Sequence, residues 1–147
     1  MKELEIAIIE IKEVHYFNGF NDEVLKEIGE DSIKLSMGMN LVPKKEMDEL
    51  GIELNVKFDH NSNEVCSIKT LTRFKFFNIE GSENKIKFNK ESVYLSDKLA
   101  EELLQTAIGG TRGMFAYKMA SLSTDFIIPL FDLGEFIKNK NDEKEGK

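Results

Sequence analysis

From residue 32 to residue 41 the chain alternates almost without fault. Ile33, Leu35, Met37, Met39 and Leu41 point one way; Ser32, Lys34, Ser36, Gly38 and Asn40 point the other. A period of two is the signature of a half-buried strand, apolar on one face and wet on the other. Residues 52–58 repeat it, with Ile52, Leu54, Val56 and Phe58 set against Glu53, Asn55 and Lys57. Pro43 is expected to end the first of these strands, because it cannot donate to a ladder. The turn residues DHNSNE at 59–64 then read as a hairpin loop.

Two further strands frame this pair. Residues 3–17 are rich in Ile, with a change of phase near Ile8 and Ile9 that predicts a bulge or bend. Residues 65–79 place Cys66, Ile68, Phe74 and Phe76 on one parity and Leu71, Phe77 and Ile79 on the other, so both faces of the second half of this strand are expected to be covered. Residues 18–30 read as a connecting loop carrying Phe20, with Val24, Leu25 and Ile28 on a short helical turn. Residues 80–96 are polar and turn-rich.

The period then changes. Leu99, Ala100, Leu103, Leu104, Ala107, Ile108, Thr111, Met114, Phe115, Met119 and Leu122 recur at three- and four-residue spacing, as along one side of a helix. Ser96 can cap it and Asp97 suits the positive end of its dipole. The helix should run for roughly seven turns. Pro129 breaks any helix beyond it, Asp132 can cap a last short helix holding Phe136 and Ile137, and the mixed-charge tail 139–147 reads as disordered. The expectation is one α+β domain over residues 1–138: four mostly antiparallel strands, one long helix and a short C-terminal helix.

Composition narrows the function. A net charge of −7 argues against nucleic acid, which wants a basic face. The acids within MKELEIAIIEIKE argue against a signal peptide, and no apolar run reaches the ~18 residues of a membrane span. The cytoplasm is the expected compartment. Cys66 is the lone cysteine, so no disulfide forms within the chain and a cysteine-only metal site is excluded. His15 and His60 lack convergent partners in the sequence, and acid pairs such as Glu101–Glu102 and Asp48–Glu49 read as solvated surface. GSENK and GGTRG lack the strand–loop–helix context and the Lys-Ser/Thr ending of a phosphate loop. No enzyme, cofactor or metal site is expected.

Two features stand out. Three glycines, Gly109, Gly110 and Gly113, fall inside the long helix, each costing about 1 kcal/mol relative to Ala. They either bend the helix or let another backbone approach closely. The apolar arc is wide enough for a sheet on one side and a partner on the other, which favours a contact between subunits. The second feature is a surplus of aromatics, 11 Phe and no Trp. Any one of them can simply close a core. Together, the loop, strand and C-terminal aromatics could line a groove for apolar, extended polypeptide.

The order of elements, with TRGMF in the long helix and FIIPLFDLGEF after it, resembles the export chaperone SecB and its relatives. Thr111, Arg112, Gly113 and Phe115 match a Ser/Thr-Arg-Gly-x-Phe segment of that family. Pro129, Phe131, Asp132 and Phe136 match its apolar-Pro-x-x-Phe-Asp-x-x-x-Phe segment, with Leu130 alone between Pro129 and Phe131. The stretch CSIKTLTRFKFFNIEG resembles the family's last strand and its turn at Ile79, Glu80 and Gly81. The resemblance spans roughly residues 3–138.

It implies an ATP-independent holdase for unfolded or pre-export polypeptide. It implies a homo-tetramer, a dimer of dimers, with the long helices at the interfaces and Gly109, Gly110 and Gly113 in the contact. It implies a peptide groove near Phe17, Phe20, Phe74, Phe76, Phe131 and Phe136. Members that serve export dock the SecA motor through an acidic patch on the sheet. Here Glu13 retains an acid of the first strand, Phe17 stands near the place of its neighbour, and Ser67 replaces the acid of the last strand. The family's SecA-contacting tail is replaced by a mixed Lys/Glu tail. These departures point away from SecA and toward a dedicated chaperone, such as one serving an antitoxin. An adaptor of the same fold for one folded partner is the competing reading, and a small-molecule-binding domain a third.

Overall fold

The computed structural model describes residues 3–19, 33–60 and 62–119. Its elements are β1 (Glu5–Asn18), β2 (Ile33–Lys44), a 3-10 turn (Lys45–Met47), β3 (Glu49–His60), β4 (Asn63–Phe77), β5 (Ile86–Phe88), β6 (Val93–Leu95) and α1 (Asp97–Met119). The expected class is what the chain adopts: a four-stranded sheet of order β1-β4-β3-β2, followed by one long helix. β2 pairs antiparallel with β3, and β3 with β4. β1 also runs against β4. The Gly19 amide at its end donates to Val65 O at the start of β4 (2.8 Å), and Asn78 Nδ2 beyond β4 donates to Glu3 O (3.0 Å).

Two compact units divide the chain: Ile6–Lys75, and Met1–Glu5 together with Phe76–Lys147. In the first, the alternation read from the sequence sorts the sheet. Leu50, Ile52, Leu54, Val56 and Phe58 of β3 are buried, as are Cys66, Ile68 and Phe74 of β4. The register places these residues on one face, with Leu35, Met37, Met39 and Leu41 of β2 half-buried beside them. The opposite face is polar. Lys69 pairs with Glu53 (3.1 Å), Asn40 donates to Glu53, and Arg73 bridges Glu49 (3.0 Å) and Glu10 (3.3 Å), tying three strands together. Glu49 is buried, and the Arg73 fork supplies the charge-assisted hydrogen bonds that a buried carboxylate requires.

In the second unit the buried side chains are Phe76, Ile86, Leu99, Leu103, Leu104, Ala107, Ile108, Thr111 and Phe115. Phe76 and Phe88 meet edge-to-face, with ring centroids 6.1 Å apart. Ser96 caps α1 as its sequence position requires: its Oγ accepts from the Leu99 amide (3.3 Å) and its carbonyl from the Ala100 amide (2.8 Å). Gly81 sits at φ 87° in the turn closed by the Ser82 amide on Ile79 O, a conformation glycine adopts at no steric cost.

Three expectations are corrected. β2 does not stop before Pro43: it runs to Lys44, with Pro43 opposite Leu50. β2 is an edge strand, where a missing N–H can face away from the ladder. Residues 80–96 are not only turns, because β5 and β6 form a two-stranded hairpin there. The second parity of β4 is not covered: Leu71 is half-buried and Phe77 exposed, since its other residues are the ion-paired Lys69 and Arg73 and the half-buried Lys75. The loop at 20–32, the helix end beyond Met119, the short final helix and the tail lie outside the described residues.

Candidate polypeptide-binding surface

β1 is unlike the other long strands. Ile6, Ile8, Ile9, Ile11, Val14 and Phe17 are all exposed, from 38% at Ile6 to 50% at Ile8. β3 and β4 bury almost every comparable side chain. The local sequence produces this directly. Apolar residues occupy both parities of β1, so one set must face away from any single covering layer. Water on this much branched aliphatic surface is costly, at about 25 cal/mol per Å².

Phe17 closes the strand. Its ring lies over Gly19, where a Cβ would meet Phe17 Cζ at 3.1 Å and Val65 O at 3.1 Å. Glycine at 19 therefore lets the chain pass under the ring while its amide holds Val65. Tyr16 is half-buried, and burial first, then the nearby Cys66 and Glu13, raise its hydroxyl above the ordinary value. Glu13 is exposed on the same strand.

Phe17 and Glu13, both singled out in the sequence, thus lie exposed on one strand. Phe74 and Phe76 do not join them. Each is 1% exposed, so in this conformation their rings are core and offer no surface to a bound chain. A Phe at an even position of β4 shares the parity of Cys66 and Ile68, and that parity is the buried one. Phe20, Phe131 and Phe136 lie outside the described residues. The exposed isoleucines of β1 were legible as a strand but not as a surface, and the adjacent apolar pair at Ile8 and Ile9 was the available sign. A separate open depression of about 590 Å³ is lined by Glu3, Glu5, Phe77 and Asn78.

The helix glycines sit in unbroken helix. Gly109 and Gly113, one turn apart, are exposed, and a Cβ at either would meet no atom within 4 Å. Gly110 is half-buried. The exposed positions between Gln105 and Tyr117 are Gln105, Gly109, Gly113, Ala116 and Tyr117, an uncharged stripe ending in a Tyr that is 82% exposed.

Among the described residues no group of three His, Cys, Asp or Glu side chains could hold a metal ion, and no helix is long and apolar enough to cross a membrane. No protein-family model and no curated protein sequence matches the chain. Among solved structures, its fold is similar to a SecB-like chaperone of Mycobacterium tuberculosis in complex with a peptide from the HigA1 antitoxin. That match has a TM-score of 0.47 and 6% identity, covering 86% of this chain and 91% of that one. The fold is also similar to a protein of unknown function from Streptococcus agalactiae, with a TM-score of 0.41, 13% identity, and coverage of 88% of this chain and 99% of that one.

Proposed function

We propose that the protein is an ATP-independent holdase that binds unfolded polypeptide through exposed apolar surface on its sheet. The observation that carries this reading is the crowding of large exposed apolar side chains onto β1, ending at Phe17, in a chain whose central strands β3 and β4 bury nearly all of theirs. The motif order around TRGMF and FIIPLFDLGEF supports it from the sequence side. A non-native chain exposes apolar side chains of its own, and covering them against isoleucine and phenylalanine is favourable without nucleotide or cofactor. Phe20, Phe131 and Phe136 are proposed to extend the lining.

The binding species is a homo-oligomer, proposed as a dimer of dimers, with the Gly109–Gly113 stripe as one contact. Open space over both glycines lets another backbone come close, which offsets their cost to the helix. A client dedicated to this chain, such as an antitoxin segment, is favoured over SecA docking: Ser67 stands where the export family carries an acid, and it is buried in β4.

The test is dilution of a chemically unfolded model protein with and without this chain, monitored by light scattering. Suppression near stoichiometric amounts is expected. Phe17→Ser should weaken it severalfold while leaving oligomer mass unchanged. A well-folded oligomer that suppresses nothing, yet binds one partner at defined stoichiometry, would replace the holdase with the adaptor.

A further inference from the structure

The polar face of the sheet holds an excess of positive charge. The register sets Lys44 and Lys75 on either side of Glu49, and puts Lys57 further along the same strand. Glu49 and Glu53 of β3 share this face, short of the bulge at Phe58 and Asp59, and both are already paired. Arg73 holds Glu49 at 3.0 Å, and Lys69 holds Glu53 at 3.1 Å. Glu10 of β1 reaches the same Arg73 at 3.3 Å. Lys44, Lys57 and Lys75 are left over: among the described residues none of the three has an ion-pair partner. Lys44 and Lys57 are exposed and Lys75 is half-buried.

A polar outer face is ordinary for an antiparallel sheet, but its sign here runs against the chain, whose net charge is −7. We infer that this face docks an acidic segment of a partner protein, laid along β3 with carboxylates on Lys57 at one end and on Lys44 and Lys75 at the other. Strand geometry puts about 27 Å between Lys57 and the row of Glu49, and about 10 Å between Lys44 and Lys75 across the sheet. Between these ends the face is low. Gly38 and Gly51 carry no side chain, and a Cβ at Gly38 would meet no atom within 4 Å. Beyond the bulge Asp59 and Glu64 stand opposite each other, so the positive stretch ends there.

Charge and composition select polypeptide over nucleic acid. An acidic chain repels a long phosphate backbone, whereas a few local carboxylates meet only the lysines beneath them. From Lys44 to Lys57 the face carries no aromatic side chain on which a base could stack; its apolar members there are Val42 and Leu71. Arg73 is committed to Glu49 and Glu10, so the free groups are ammoniums, which meet carboxylates as point charges. These lysines lie on β2, β3 and β4 and call for no apolar client, so the inference goes beyond the holdase reading.

Fluorescence anisotropy with the full chain provides the test. The probe is a labelled peptide of alternating Glu and Ser, long enough to span the face. It should bind, with an affinity that falls as salt rises, and a peptide of alternating Lys and Ser should not. Lys44→Glu and Lys57→Glu should each weaken binding about fivefold at low salt, and the two together more. Both positions are exposed, so neither change threatens the fold. Lys90→Glu, at an exposed lysine in the turn between β5 and β6, alters the net charge as much as either and should leave binding nearly unchanged. An equal loss in Lys90→Glu would overturn the proposal, because net charge alone would then explain the binding. So would an acidic peptide that binds no better than the basic one, or a single-stranded oligonucleotide that binds more tightly through the same lysines. The probe has no apolar side chain, so its failure and the failure of the holdase reading are separate results.

Discussion

Cys66 has no exposed surface, and its thiol shows what burial does to a titrating group. Desolvation, with the Glu64 charge adding to it, pushes the thiol from an ordinary 9.0 up to about 12. The folded protein therefore holds the proton where the unfolded chain would release it. Stability from this group is complete below pH 9 and is lost as pH rises toward 12, at up to about 1.4 kcal/mol per pH unit. Denaturant unfolding between pH 8 and 11 should show that decline, and Cys66→Ala should flatten it. The same burial explains why Phe74 and Phe76 act as core. Their rings are as inaccessible as this thiol, and truncating them would open cavities instead of testing a surface.

At the scale of single elements, α1 shows two devices. Its start is fixed by Ser96, whose hydroxyl and carbonyl together take the Leu99 and Ala100 amides. Ser96→Ala should lower stability by about 1 kcal/mol in chemical denaturation without altering the α-helical signal of the folded state. Further along, Thr111 Oγ1 returns to Ala107 O at 2.8 Å, so its buried hydroxyl is satisfied within the helix. The two exposed glycines beside it leave the helix continuous. β1 obeys a different logic: its apolar residues fall on both parities, so folding alone leaves exposed what another molecule can cover.

For the whole molecule, assembly is proposed to run through the exposed glycine stripe of α1, where Gly109 and Gly113 lie open. Gly113→Leu places a branched side chain into open space, so the single chain should fold as before or with slightly more helix. Assembly through α1 should weaken, and native mass spectrometry should show the largest oligomer replaced by its half. An unchanged mass would assign Gly113 to the isolated helix alone.

Strict alternation in β2 and β3, the Ser96 cap and the long helix were legible from the sequence, because period and capping chemistry are local properties of the chain. Three things were decided only in three dimensions. Pro43 stays within β2 because that strand lies at an edge, and strand order is set by pairing between distant residues. Phe74 and Phe76 are core and Phe17 is surface, although all three are phenylalanines on strands, because burial depends on what covers each face. The exposure of β1 arises in the same way: its sequence is as apolar as a core strand, yet the folded chain leaves apolar residues of both its parities exposed.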